Sequence, residues 1–179
     1  YSPEQIALRE SVERFVRDEY DFTRRRRIAA AEPGHDEACW RRYAEFGWLA
    51  IPFSEADGGI GGSAVDTGFV MEGVGRGLLL EPYLANVVLA GGLLRTLATP
   101  AQKTEWLQPM MAGTLKLALA WAEPGSRHDR THCHTLALRT GERTVLRGRK
   151  CLVAGGGVAD AIIIIARDTA AATGDQGLS

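Results

Sequence analysis

The chain has 179 residues, 45% of them hydrophobic, which is enough for one good-sized domain, or a domain and a half, with a real core. Its formal net charge of −1 gives no electrostatic reason to expect a nucleic acid or an anionic membrane as a partner. No apolar run reaches the roughly 20 residues that a membrane span requires. Three cysteines without metal or redox spacing favour reduced thiols in a cytoplasmic protein. Because the sequence starts at Tyr1 with neither Met nor a leader pattern, we expect a soluble protein whose first residues are missing.

Five helices are predicted in the first part of the chain, since apolar residues recur there at helical spacing behind capping residues. The predicted helices begin at Ser2, at about Asp36, at Ser63, near Leu84 and at Thr99. The first and last carry a capping-box pattern with Pro at the first helical position. The fourth is apolar on most sides, which predicts a buried helix. Pro109 and Gly113 are expected to close the fifth.

After Gly113 the period of the apolar residues changes from helical to alternating. Residues 115–119 alternate, residues 135–139 and 144–146 are strand-like around a turn at Gly141, and residues 162–165 are a β-branched run. Helices first and strands second predict an α+β chain. We place its domains at 1–113, all-helical, and 114–179, built from strands.

Four blocks of the sequence occur in an order that resembles the acyl-CoA dehydrogenase family. They are E-F-G-W-L-A-I-P-F-S-E-A-D-G-G-I-G-G at 45–62, E-W-L-Q-P-M-M-A-G at 105–113, L-A-L-A-W-A-E-P-G-S-R-H-D at 117–129 and G-R-K at 148–150. Chance is a poor explanation for four ordered blocks. The last two blocks look most similar to bacterial members that work as two-subunit enzymes, such as the small subunit of the pimeloyl-CoA dehydrogenase type.

The resemblance implies a helical N-terminal domain followed by the first strands of a middle β-sheet or barrel domain, with the C-terminal helical bundle absent from this chain. It implies FAD as cofactor and α,β-dehydrogenation of an acyl-CoA substrate, with electron-transfer flavoprotein or a similar acceptor as partner in a homo- or hetero-oligomer. In the family the catalytic base is a carboxylate of the C-terminal domain, so no base is assigned here. Glu123 and Asp129 are expected to be structural, with Glu123 capping backbone donors.

The residues that the resemblance assigns to FAD binding are Trp121, Ala122, His128, Leu152 and Ala154. A tight Gly turn presents backbone N–H groups to a flavin without side-chain obstruction. Ala122 replaces a hydroxyl residue that bonds the flavin ring, and His128 replaces a Ser that meets the pyrophosphate. Leu152 and Ala154 replace an aromatic ring and a Thr. Because a neutral hydrogen bond contributes about 0.5–1.5 kcal/mol, two lost bonds weaken FAD binding by roughly five- to a hundred-fold.

The same departures favour a second hypothesis of a different class. In that hypothesis the chain belongs to a non-catalytic partner subunit, with a degraded flavin site, of a heteromeric acyl-CoA dehydrogenase. A third reading is a flavin oxidase or monooxygenase built on the same scaffold.

Two further motifs suggest sites but favour ordinary structural roles. His132, Cys133 and His134 are possible zinc ligands, yet in an extended segment the two histidines share one face while Cys133 points to the other. We therefore predict no metal site. The basic run at 24–27 is interpreted as a solvated helix end rather than a contact for a CoA phosphate.

Overall fold

The computed structural model describes residues 1–127, 129–168 and 176–178. The chain divides into two compact units, Tyr1–Lys116 and Leu117–Ser179. No helix among the described residues has both the length and the apolar character needed to cross a membrane. The helices lie in the first unit and the strands in the second, which confirms the predicted α+β class.

The first unit, all of whose residues are described, is helical. Its helices are α1 (Pro3–Glu19), α2 (Phe22–Ala30), α3 (Glu37–Glu45), α4 (Ala64–Gly77), α5 (π-helical at Leu84–Gly91, then α-helical at Gly92–Leu97) and α6 (Pro100–Gln102, π-helical at Lys103–Leu107, then Gln108–Met111). Short 3-10 turns lie at Trp48–Ala50 and Glu55–Asp57.

The predicted helix starts at Ser2, Ser63 and Thr99 are confirmed, because each is made by the predicted cap. In α1 the backbone N–H of Gln5 donates to Ser2 Oγ at 3.3 Å, and the Ser2 N–H donates to Gln5 Oε1 at 3.1 Å. The same reciprocal arrangement begins α4 at Ser63 and α6 at Thr99. These caps satisfy N–H groups that have no partner inside the helix, so the local sequence fixes where each helix begins.

Two details of the helical prediction are wrong. The basic run at 24–27 lies in the middle of α2 and not at a helix end, since Asp21 caps a helix that begins at Phe22 by accepting a hydrogen bond from the Arg24 N–H at 2.6 Å. Pro109 lies within α6 and does not end it. The π-helical stretch directly before it changes the hydrogen-bond ladder where Pro cannot donate, so the helix continues to Met111.

Aromatic side chains form the centre of the first unit's core. The ring of Phe15 on α1 lies edge-on to Tyr43 on α3 and to Trp48, with ring centroids 5.5 Å apart in both pairs. The hydroxyl of Tyr83 donates to the Trp48 carbonyl at 3.1 Å. Edge-to-face packing stabilises such rings beyond their buried area, and the hydroxyl keeps a polar partner inside the core.

The second unit contains two small sheets within its described residues. β1 (Leu117–Ala120) pairs in parallel with β4 (Ala161–Ile164), and β2 (Leu136–Thr140) pairs antiparallel with β3 (Arg143–Arg147). The hairpin turn uses Gly141 at φ 63°, as predicted. β1 is buried along nearly its whole length. Its end therefore positions the loop that follows.

Candidate functional site

The candidate site consists of two loops of the second unit, residues 121–127 after β1 and residues 148–154 after β3. The N–H of Cys151 donates to the carbonyl of Ala122 at 2.9 Å. The N–H of Ile165, just after β4, donates to the Ala120 carbonyl at 3.0 Å. The first of these bonds brings the A-E-P-G block and the G-R-K block side by side, although they are separated in the sequence, and the second fixes the end of β1.

The carboxylate of Glu123 is the centre of this arrangement. It accepts hydrogen bonds from the His134 N–H at 2.7 Å, the Thr135 N–H at 2.9 Å and the Thr135 hydroxyl at 2.6 Å. It also accepts one from Lys150 Nζ at 2.8 Å. The side chains of Glu123 and Lys150 are only 4% and 8% exposed. The predicted structural role of Glu123, capping backbone donors, is confirmed by these contacts.

The environment of Glu123 fixes its charge. Burial alone would raise the pKa of this carboxyl, but the hydrogen bonds from Lys150, from the Thr135 hydroxyl and from two backbone N–H groups outweigh burial and hold its pKa well below the ordinary range. Glu123 is therefore ionised and acts only as an acceptor. Its oxygens serve the protein's own donors, which makes it unsuited to removing a proton from a substrate.

Gly148 allows the second loop to approach closely. A Cβ at this position would lie 2.2 Å from Thr135 Oγ1 and 2.6 Å from Thr135 Cα. Any larger residue would push the loop away from Thr135, and with it Lys150, whose Nζ also donates to the Trp121 carbonyl at 3.3 Å. In the G-R-K block, Gly148 thus allows the loop to lie close to Thr135, and Lys150 pairs with the charge of Glu123.

The Glu-Pro-Gly turn continues into a second local turn. Gly125 has φ 88°, and the Ser126 N–H donates to the Glu123 carbonyl at 3.1 Å. Asp129 accepts from the Thr131 N–H at 2.9 Å and from the Thr131 hydroxyl at 2.8 Å, and these bonds lower the pKa of its carboxyl. Asp129 is thereby structural, as predicted.

The five residues assigned to FAD are placed in different ways. The carbonyls of Trp121 and Ala122 are bonded to the second loop, and Ala122 is buried with a methyl group as its whole side chain. Leu152 has φ 51° and is 87% exposed, and Ala154 is exposed as well. His128 lies outside the described residues.

The segment 131–135 holds no metal cluster. The rings of His132 and His134 lie edge-on with centroids 4.5 Å apart, while Cys133 is buried with its Sγ 3.6 Å from the Ile165 carbonyl. Across the described part of the chain, no group of three or more His, Cys, Asp and Glu residues is arranged to hold a metal ion.

Sequence reasoning missed three residues that build the site. Thr135 and Lys150 hold Glu123, and the buried guanidinium of Arg167 donates to the carbonyls of Cys133 at 3.1 Å and Thr131 at 2.9 Å. The one sequence signal that points to them is the lysine of the G-R-K block. Because a lysine is rarely buried without a paired acidic group, Lys150 predicts a carboxylate partner, and in the structure that partner is Glu123.

Comparison with known proteins identifies the family. Residues 2–114 match the model of the acyl-CoA dehydrogenase N-terminal domain, so the chain belongs to the acyl-CoA dehydrogenase family. It is 28% identical to the acyl-CoA dehydrogenase FadE12 of Mycobacterium tuberculosis, over 97% of this chain and 44% of that protein. The chain thus spans less than half the length of this curated relative.

Solved structures agree with this assignment. The chain is similar to the crystal structure of the ChsE4-ChsE5 complex from Mycobacterium tuberculosis, with TM-score 0.83 and 26% identity over 93% of this chain and 44% of that chain. It is also similar to a structure of PigA with FAD and proline, with TM-score 0.86 and 25% identity over 100% of this chain and 47% of that chain.

Proposed function

We propose that this chain is the helical domain and the start of the flavin-binding domain, divided at 1–113 and 114–179, of a protein that catalyses FAD-dependent α,β-dehydrogenation of an acyl-CoA thioester. The observation that carries the proposal is the pairing of the two loops through Glu123 and Lys150. The two loops carry the sequence blocks that resemble the family's flavin-binding signature. The ion pair between Glu123 and Lys150 explains why these two separated blocks occur together, because it joins the loops.

The residues of the two loops fit a flavin in part. Leu152 presents an apolar side chain to the outside from a left-handed backbone, which L residues rarely adopt. Such strain and exposure suit a surface that an apolar ring covers. Gly125 leaves open space, since among the described residues no atom lies within 4 Å of where its Cβ would be. Ala122 offers no hydroxyl, so polar contacts to the ring fall to backbone groups.

In this proposal FAD, when bound, supplies the acceptor for the hydride that leaves the β-carbon. Trp121, Ala122, Leu152 and Ala154 would hold the ring, and His128, which is outside the described residues, is assigned to the pyrophosphate by the resemblance alone. Leu152 would exclude water from one ring face, and Glu123 keeps the two loops together. No residue of this chain is proposed as the catalytic base.

We further propose that the whole protein works in the cytoplasm as a homo- or hetero-oligomer and passes electrons to electron-transfer flavoprotein or a similar acceptor. A reduced flavin must be reoxidised before the next turnover, which makes such an acceptor necessary. Membership in the acyl-CoA dehydrogenase family supports this proposal.

A second candidate function is that of a non-catalytic partner subunit in a heteromeric acyl-CoA dehydrogenase. Ala122 and Leu152 favour it, because neither provides a hydrogen bond from its side chain where the resemblance expects polar or aromatic groups. In such an assembly the loops described here would keep their fold while the paired subunit performs the chemistry.

One experiment separates the two. The full-length protein is purified alone and together with a candidate partner subunit of the acyl-CoA dehydrogenase family, and the visible absorption spectrum is recorded. A flavin spectrum in the lone protein supports the enzyme and removes the partner-only reading, whereas colour only in the mixture supports the partner. A flavin-loaded complex that oxidises no member of an acyl-CoA panel with an artificial acceptor contradicts dehydrogenation.

A further inference from the structure

A thiol and an amine lie side by side in the second unit. Lys150 Nζ is 3.6 Å from Cys133 Sγ. Cys133 is 6% exposed, and the side chain of Lys150 is 8% exposed. The proposed function uses neither group in chemistry, since Lys150 serves there only as the partner of Glu123.

Both groups are fixed in position. Cys133 Sγ lies 3.7 Å from the Thr135 carbonyl and 3.6 Å from the Ile165 carbonyl. Lys150 Nζ is held by Glu123 at 2.8 Å and by the Trp121 carbonyl at 3.3 Å. The sulfur and nitrogen are thus close to the roughly 3–3.5 Å separation at which positioned groups react as though at very high concentration.

We propose that Cys133 and Lys150 form a covalent cross-link when the protein meets hydrogen peroxide. In the first step the Cys133 sulfur attacks peroxide, an S–O bond forms, the O–O bond breaks, and the thiol proton leaves with the departing oxygen as water. The product is a sulfenic acid, which condenses with nearby thiols or nitrogen nucleophiles.

In the second step Lys150 Nζ, after releasing one proton to solvent, attacks the sulfenyl sulfur. An S–N bond forms and the S–O bond breaks, and the hydroxyl leaves with an amine proton as a second water. The neutral amine and the thiol together lose two hydrogen atoms, and one peroxide is reduced to two waters.

The surroundings favour this product over further oxidation. The amine is already 3.6 Å from the sulfur, so it attacks the sulfenic acid without diffusing to it, whereas a second peroxide must first arrive from solvent. Glu123 keeps its hydrogen bonds from the Thr135 hydroxyl and from two backbone N–H groups when the lysine charge is lost. The cross-link joins the residues before β2 to those after β3 and so restrains the unfolded chain, which offsets part of the stability lost with the ion pair between Lys150 and Glu123.

The test uses the full-length protein, treated with hydrogen peroxide and digested without reductant for peptide mass spectrometry. The expected result is a pair of peptides joined between Cys133 and Lys150, with two hydrogen atoms fewer than their sum and no added oxygen. Dithiothreitol should release both peptides. Cys39, which is 1% exposed in the helical unit, serves as the internal comparison and should remain a thiol.

Two variants sharpen the result. Cys133→Ser should abolish the joined peptides, with the circular dichroism spectrum unchanged. Lys150→Arg keeps the charge next to Glu123 but should leave a sulfenic acid on Cys133 that a 1,3-dione probe labels. Should Lys150→Arg fail to fold, labelling of wild-type Cys133 by the same probe still decides the matter, because rapid condensation leaves little to label. Stable labelling in the wild type, a Cys133–Cys151 disulfide, or equal modification of Cys39 overturns the proposal.

Discussion

Glu81 in the helical unit and Glu123 in the strand unit are both buried, with 3% and 5% of the whole residue exposed, yet their carboxylates accept hydrogen bonds from different kinds of donor. Glu81 accepts hydrogen bonds from the hydroxyls of Tyr20 at 3.4 Å and Tyr43 at 3.2 Å and from the Asp36 N–H at 3.2 Å. Glu123 has shorter bonds, from 2.6 to 2.9 Å, and one of its donors is the Lys150 ammonium.

The two carboxylates have different donors because they join different kinds of structure. Glu81 joins helices that already pack through aromatic rings, so neutral donors are sufficient there. Glu123 joins two loops that have no regular secondary structure, and an ion pair with several charge-assisted hydrogen bonds provides geometric precision that apolar packing would not. We therefore expect perturbation of Glu123 to affect the candidate site, and perturbation of Glu81 to affect only the fold.

The largest expected effect comes from Lys150→Met. This change leaves the Glu123 charge buried without its cationic partner, and removing one member of a buried pair costs about 3–5 kcal/mol in the free energy of unfolding. Urea unfolding of the full-length protein measures it. In the double variant Lys150→Met with Glu123→Gln neither side chain is charged, so part of the lost stability should be recovered. If the unfolding free energy of Lys150→Met lies within about 0.5 kcal/mol of wild type, the ion pair does not hold the loops.

The next effect comes from Gly148→Ala. The added methyl group would overlap Thr135, so the loop must move, at a cost of about 1–3 kcal/mol. Gly157→Ala is the matched control, because a methyl group there meets no atom within 4 Å among the described residues. Equal melting temperatures for the two variants would contradict the close approach.

In the helical unit, Tyr43→Phe should cost about 1–2 kcal/mol, because it removes a donor from the buried Glu81 carboxylate. Burial, and then the charge of Glu81, raise the pKa of the Tyr43 phenol, so it remains a neutral donor at ordinary pH. Tyr20→Phe should cost a similar amount, because the Tyr20 hydroxyl donates a longer bond to Glu81, at 3.4 Å, but also accepts one from the Leu80 N–H at 3.2 Å. The unfolding free energies of both variants check these losses, and neither variant should change flavin binding.

The smallest effect is a pH dependence. Because the pKa of Glu123 in the folded protein lies well below its ordinary value of 4.5, its contribution to stability is present above that value and is lost as the pH falls through the folded-state pKa. The stability gap between wild type and Glu123→Gln should therefore narrow between pH 7 and about pH 3. Urea unfolding midpoints of both proteins at both pH values measure this difference in stability. A difference that grows as the pH falls would contradict a lowered pKa of Glu123 in the folded protein.

The parts of this molecule that sequence could predict are those encoded within a few residues. The caps at Ser2, Ser63 and Thr99 are such cases, as is the Gly141 hairpin turn. The helix α2 was missed because its four consecutive arginines read as a solvated charge run, and only Ile28 in it is buried.

The tertiary part of the site could not be predicted in this way. The parallel pairing of β1 with β4 and the contact of Lys150 with Glu123 join segments that are distant in the sequence. A local sequence pattern does not indicate which distant segments will contact each other. The resemblance assigned both blocks to one flavin-binding site, but it did not predict the contacts of Thr135, Lys150 and Arg167. The assignments of Trp121, Ala122, His128, Leu152 and Ala154 to FAD stay predictions.

The most direct test of the central claim is a titration of the full-length protein, in whichever assembly shows flavin colour, with FAD, followed by flavin fluorescence. Wild type and Gly157→Ala should bind FAD equally well, while Lys150→Met, measured at a temperature where it remains folded, should bind at least about tenfold more weakly, since a loss of 1.4 kcal/mol corresponds to that factor. An unchanged FAD dissociation constant in folded Lys150→Met would contradict the claim that the two paired loops form the flavin platform.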